Sequence, residues 1–151
     1  MRIAVGSDRA GTDLKAVVAD HLRAAGHTII DVGWDGCGEP DYSAGYARAV
    51  AHLVRDGDAD RGILVCGTGV GISIAANKVR GIRAVVCSEP YTARHSREHN
   101  GSQIVAVGAY VVGPRLAITI VEAFLAAEFA GGRYRERFDR ITAIEDEEAR
   151  R

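Results

Sequence analysis

The sequence predicts an α/β protein: a doubly wound, five-stranded parallel sheet covered by helices on both faces, a three-layer αβα sandwich. Three observations carry that expectation. Short apolar runs alternate along the chain with amphipathic segments of helical period, the pattern of successive βαβ units. Glycines close the helical segments, as at Gly26 and Gly57. The run GILVCGTGVGISIAANK, from Gly62 to Lys78, passes from an apolar strand through three alternate glycines into a helix-like pattern.

Taken in order, RIAVGS from Arg2 to Ser7 is the first strand. Thr12 to Ala25 follows as an amphipathic helix, with Leu14, Val17, Val18, His21, Leu22 and Ala25 forming its inward stripe. Thr28 to Val32 is the second strand. A loop from Gly33 to Asp41, rich in Gly, Asp and Pro, holds Trp34 and Cys37. Ser43 to Asp56 is the second helix, with Ala47, Val50, Ala51 and Val54 inward. The third strand ends at Cys66, and Ile72, Ile74, Ala75 and Ala76 form a short helix packed on it, closed by Asn77 and Gly81. Ile82 to Cys87 is the fourth strand, Pro90 to Asn100 a polar helix opened by proline, and Gln103 to Val107 the fifth strand. Pro114 to Phe129 is a long apolar helix. After Gly131 and Gly132, the segment RYRERFDR reads as helical and fades into a charged tail over residues 145–151.

Such Rossmann-like sheets have right-handed crossovers and bind ligands beyond the carboxyl ends of their strands. Those ends carry Asp8 and Arg9, Gly33 and Trp34, Cys66 and Gly67, Ser88, and Gly108, so polar residues converge on one rim.

At 151 residues the chain is expected to be one domain, with a core that needs neither disulfide nor metal. A net charge of −1 and an aromatic content of 6% give neither the basic face nor the stacking platform of a nucleic-acid binder. No apolar run approaches a membrane span, and the first residues enter a strand without a signal-peptide pattern. Cys37, Cys66 and Cys87 are odd in number and lack CxxC spacing, which points to a reduced, cytoplasmic setting.

Cys66 sits at the hinge of the glycine turn, where backbone N–H groups and a positive helix end converge. A thiol in that position loses its proton more readily than an ordinary one. The glycines admit close approach of a small oxyanion such as an enediolate. The turn is therefore a candidate active site. Cys87, inside a strand, reads as a core thiol, and Cys37 as incidental. No Gly-Lys-Ser/Thr follows the turn, and Ile72 and Ile74 stand where GxGxxG needs its third glycine. Neither a nucleotide nor any other cofactor is expected.

His95 and His99 stand four apart on one helix face. With no third ligand recognised beside them, they read as solvated or hydrogen-bonded histidines, and no metal is expected. His99 and Asn100, at the helix end, are placed to reach the strand rim, and a histidine there moves protons near neutral pH. Arg133 and Arg137 also share a face. They form either a solvated charged surface or a phosphate clamp, with Arg135 pointing elsewhere.

Together these residues resemble the type B ribose-5-phosphate isomerases, a family that includes galactose-6-phosphate and allose-6-phosphate isomerases. The resemblance runs from RIAVGSD to RITAIE and is most specific over ILVCGTGVGISIAANKVRGIRAVVCSEPYTARHSREHN. It implies metal-independent aldose–ketose isomerisation in the pentose phosphate pathway, in a homodimer or a tetramer of paired dimers, whose sites are built from both subunits. Under it, Cys66 matches the general base that moves a proton between C1 and C2, and Thr68 matches the residue that shuttles the hydroxyl proton. The amides of Gly67, Gly69, Val70 and Gly71, with Asn100, match the groups that hold the enediolate. His99 matches the ring-opening residue, Asp8 stands close by, and Tyr42 lines the sugar pocket. Arg133 and Arg137 match phosphate ligands, carried on a C-terminal helix that reaches the partner subunit.

Two positions depart from the family pattern. Arg9 stands where histidine usually follows the first-strand aspartate, and Tyr110 where an arginine usually ends a Gly-x-Arg pattern. Serine at position 43 replaces a common proline. The favoured reading is compensation, a cation lost at 110 and regained at 9, because the planar guanidinium suits phosphate. The alternatives are an isomerase of a tetrose phosphate, a hexose 6-phosphate or an unphosphorylated aldose, and a non-catalytic sugar-phosphate-binding or redox-sensing module.

Overall fold

A computed structural model describes residues 1–37 and 41–150. Gly38, Glu39 and Pro40, from the expected loop, and Arg151 of the expected tail lie outside the described residues. Strands β1 (Arg2–Ser7), β2 (Thr28–Asp31), β3 (Arg61–Cys66), β4 (Ala84–Val86) and β5 (Ile104–Gly108) form one parallel sheet in the order β2-β1-β3-β5-β4. Among the described residues, six helices accompany them: α1 (Thr12–Ala24), α2 (Ser43–Arg55), α3 (Val70–Ala76), α4 (Pro90–Asn100), α5 (Pro114–Ala126) and α6 (Arg133–Glu148). A 3-10 turn, Arg9–Gly11, leads into α1.

The central strands are apolar on both faces, as strands covered by helices must be. On one face Ile3, Val5, Ile63, Val65, Val105 and Val107 pack against α1 and α5 through Leu14, Val18, Leu22, Ile120 and Phe124. On the other, Ala4, Leu64, Cys66 and Ala106 pack against α2 and α3 through Val50, Ala51, Ile72 and Ala76. The expected three-layer sandwich is what forms.

Details differ from the sequence reading for local reasons. Val17 on α1 and Ala25 just past its end face solvent, while Lys15 is buried. Its ammonium is satisfied by Asp31 Oδ1 at 2.8 Å and the Trp34 carbonyl at 3.3 Å. Ile74 is exposed on α3, although Ile72 beside it is fully covered. The fourth strand spans three residues, Ala84–Val86, and lies at the sheet edge beside β5. The last helix continues to Glu148, through most of the segment expected to be a tail.

Two features of this topology position the site. The chain leaves β1 toward β2 on one side and, from β3, builds β5 and β4 on the other. The crevice between the carboxyl ends of β1 and β3 is thus the switch point of the sheet. Each of the helices α1 to α4 also returns the chain to the start of the next parallel strand. The end of α4 therefore lies at the amino side of the sheet, where Gln103 pairs with Arg83 ahead of β4 and with Gly62 of β3.

Candidate active site

Cys66 is the last residue of β3, and its side chain points into the α2–α3 face, 5% exposed. The Gly69 amide donates to its Sγ at 3.1 Å. Gly69 reaches that geometry with φ near +80°, a conformation open to glycine at no steric cost. The Val70 amide donates to Thr68 Oγ1 at 3.3 Å, and Thr68 itself is exposed. Among the described residues, the amides of Thr68 and Gly71 donate to no protein acceptor. The turn thus offers unpaired donors next to a thiol.

The end of β5 is sewn to this turn, with the Ala109 amide on the Cys66 carbonyl at 2.8 Å and the Tyr110 amide on the Gly67 carbonyl at 2.9 Å. The Tyr110 ring covers Gly67 so closely that a Cβ there would come within 2.8 Å of it. The other face of that ring is open, and the side chain is 78% exposed.

Across the switch point, Asp8 Oδ1 accepts from the amides of Ala10 and Gly11 at 3.0 and 3.3 Å. Its Oδ2 accepts from the Ser43 hydroxyl at the start of α2, next to the solvent-exposed Tyr42. Arg9 lies with its guanidinium carbon 5.8 Å from the centre of the Trp34 ring. Trp34 is pinned by its amide to Ser7 O at 2.9 Å and by its indole N–H to Cys37 O at 3.1 Å, with Lys15 on its carbonyl. Sequence reasoning gave neither Ser43 nor Trp34 a contact within the site; their positions beside Tyr42 and at the end of the second strand were the available signals.

The remaining expected site residues gather elsewhere. His99 stacks on Tyr134 of α6, centroids 4.1 Å apart and planes 10° from parallel. The guanidinium carbons of Arg133 and Arg137 lie 4.9 and 5.7 Å from the Tyr134 ring centre, and Arg133 donates to the Tyr134 hydroxyl at 2.7 Å. Arg135 turns away onto Phe138. Asn100, beside His99, is exposed. Buried Arg97 fixes this end of α4, donating to the carbonyls of Ser102 at 2.6 Å and Ala127 at 3.4 Å. The expected reach of His99 and Asn100 to the strand rim is corrected here, because α4 runs against the strands and delivers them to the opposite side. Among the described residues, no hydrogen bond, ion pair or ring contact joins this cluster to Cys66, Thr68 or Asp8.

Glu98 supplies the third donor that the sequence reading missed: potential ligand atoms of His95, Glu98 and His99 lie within 4.8 Å of one another. Its carboxylate is already taken by Arg94 at 2.7 Å, which holds it below the usual carboxylate range. With Arg94, Arg133 and Arg137 on these two helices, the surroundings suit an anion better than a cation. Cys87 is a core thiol, pushed up to about 11 by burial with Glu89 adding to it, and Cys37 is exposed.

Residues 3–141 match the sequence model of the family described as Ribose/Galactose Isomerase. The chain is 52% identical over 144 residues to ribose-5-phosphate isomerase B of Escherichia coli, covering 95% of this chain and 96% of that protein. It is 43% identical over 148 residues to the D-erythrulose-4-phosphate isomerase of Pectobacterium atrosepticum, covering 98% and 97%. The solved structure of Clostridium thermocellum ribose-5-phosphate isomerase B superposes with a TM-score of 0.94 at 50% identity, covering 97% of this chain and 99% of that one. Likeness at this level, in sequence and backbone alike, assigns the chain to the ribose/galactose isomerase family of aldose–ketose isomerases.

Proposed function

We propose that this protein interconverts ribose 5-phosphate and ribulose 5-phosphate without a metal, through a cis-enediolate, at sites each built from two copies of the chain. The observation that carries the chemistry is the Cys66 turn, where a thiol held by the Gly69 amide sits beside unpaired amides of Thr68 and Gly71.

In the proposed reaction, His99 protonates the ring oxygen as the C1–O bond of the furanose breaks, and Asp8 takes the proton of the anomeric hydroxyl. The Cys66 thiolate then removes the C2 proton, and the electron pair moves into the C1 carbonyl. The amides of the turn, with Asn100, hold the resulting oxyanion; losing one such donor costs roughly 2.7–4 kcal/mol of barrier. Sulfur returns its proton to C1, while Thr68 relays the O2 proton to O1 and C2 becomes the carbonyl. One hydrogen has moved between carbons and one between oxygens. Arg133, Arg137 and Arg9 hold the phosphate.

The placement of the parts supports shared sites. The base and the donors stand at the carboxyl rim, whereas His99, Asn100, Arg133 and Arg137 stand at the amino side. A second copy whose α4 and α6 face the rim brings them together, in the C-terminal reach expected for a homodimer. Three free cysteines support a reducing, cytoplasmic setting.

Mixing Cys66→Ala chains with His99→Ala chains, each alone far below wild-type turnover, tests the arrangement. Shared sites in a two-fold dimer restore about a quarter of wild-type turnover, since half the dimers are mixed and each has one intact site. No recovery under conditions that exchange subunits refutes it, and a fully active Cys66→Ala chain refutes the base. A tetrose phosphate is the competing substrate, favoured by Tyr110 at the rim and by the erythrulose-4-phosphate isomerase among the relatives. Rates over four- to six-carbon aldoses, with and without phosphate, decide between them.

A further inference from the structure

We propose that Tyr134 is a positioning residue that orients His99 for ring opening and couples that orientation to phosphate held by Arg133 and Arg137. The inference rests on the roles given to those three residues above and adds the side chain that joins them.

Tyr134 touches all three partners at once. Its ring lies flat on the His99 imidazole at 4.1 Å, its hydroxyl accepts from Arg133 at 2.7 Å, and the guanidinium carbons of Arg133 and Arg137 lie 4.9 and 5.7 Å from its ring centre. On its far side His99 meets the edge of His95 at 4.7 Å, and His95 in turn stacks on Tyr91 at 4.0 Å. The imidazole thus sits between two aromatic neighbours, in a column that runs from α4 onto α6.

An unconstrained imidazole turns freely about its outer side-chain torsion, which has no sharp staggered wells. A parallel ring at stacking distance removes that freedom, and a misdirected acid loses rate steeply. The phosphate lies at the far end of the sugar from the anomeric carbon. When it orders Arg133 and Arg137, Tyr134, which both approach, is seated against His99. Binding energy from the non-reacting end is thereby spent on aligning the acid at the reacting end.

The alternative role for Tyr134 is a plain cover between two helices, which acts on folding and not through His99. A double-mutant cycle in kcat and KM for ribose 5-phosphate separates the two. Tyr134→Leu keeps side-chain bulk without a flat ring and is expected to lower kcat about 10- to 30-fold in the native background. In the His99→Ala background the same change is expected to alter kcat by less than about two-fold, because the group it orients is gone. Tyr134→Phe retains the stack and loses only the bond to Arg133, so kcat stays within about two-fold while KM rises a few-fold. Equal loss from Tyr134→Leu in both backgrounds, or no loss in the native one, overturns the proposal. A His99→Ala enzyme with native kcat instead overturns the ring-opening role on which it rests.

Discussion

Ser43 and Asp8 meet across the switch point: the hydroxyl at the first residue of α2 donates to the carboxylate that follows β1. With the amides of Ala10 and Gly11 on its other oxygen, Asp8 is aimed by two separate elements. Removing the hydroxyl leaves Asp8 anchored on one side only. Ser43→Ala is expected to lower kcat/KM about five-fold with unchanged far-UV circular dichroism, a hydrogen bond to a charged group being worth roughly 1.5–3 kcal/mol at most. Ser43→Pro is expected to fold as well, since the first helical position tolerates proline, and to show the same kinetic loss. Unchanged kcat/KM in both variants removes the hydroxyl from the site.

Arg9 and Trp34 give the rim its own reporter. Trp34 is the sole tryptophan; its backbone amide is held on the Ser7 carbonyl and its indole N–H on the Cys37 carbonyl, while Arg9 lies over the ring. If Arg9 holds phosphate, ribose 5-phosphate will shift tryptophan emission on titration and unphosphorylated ribose will not. Arg9→Ala is expected to abolish the shift and raise KM about ten-fold or more, the cost of one charge-assisted contact. A retained shift with unchanged KM places the phosphate elsewhere.

Cys87 makes the fold alkali-sensitive in a defined window. Its thiol is neutral when protonated, and burial pushes it up to about 11, above its ordinary value. The folded state therefore keeps a proton that the unfolded chain gives up. That contribution is complete below about pH 9 and is lost as pH rises toward 11, at most about 2–3 kcal/mol for a shift of this size. Denaturant melts across this range are expected to show a shallower alkaline decline for Cys87→Ala than for wild type. Alkylation at pH 8 should label Cys37 readily and leave Cys87 untouched until the protein unfolds.

The sequence made the architecture readable because strand and helix periods alternate cleanly and the CGTGVG turn marks the passage from β3 into α3. Sheet order was less accessible: nothing local in IVAVG states that it pairs with β3 and displaces AVV to the edge. The burial of Lys15 has no local signal, because it depends on Asp31 and the Trp34 carbonyl, partners sixteen and nineteen residues away. His99 and Asn100 were assigned to the rim by their place at the helix end. The direction of α4, already implied by a parallel sheet, places them at the other side. Glu98 was legible as the fourth residue of the His95–His99 segment and was overlooked. The Tyr134 stack depends on how α6 lies across α4, which neither segment specifies alone.

The attachment of α6 sets a further property. No residue of this helix is buried. It is held by the Arg80–Asp146 ion pair, by the Gly81 amide on Glu145 at 2.8 Å, by Arg83 on Thr142 at 2.6 Å, and by Phe138 against Arg83 and Phe129. Segments with so little apolar anchorage open well before the whole molecule does. On the proposed division of labour, warming frees the phosphate arginines while the sheet and its thiol remain intact. The upper working temperature of the enzyme would then be set by a reversible release at its surface, from which cooling recovers full activity without refolding.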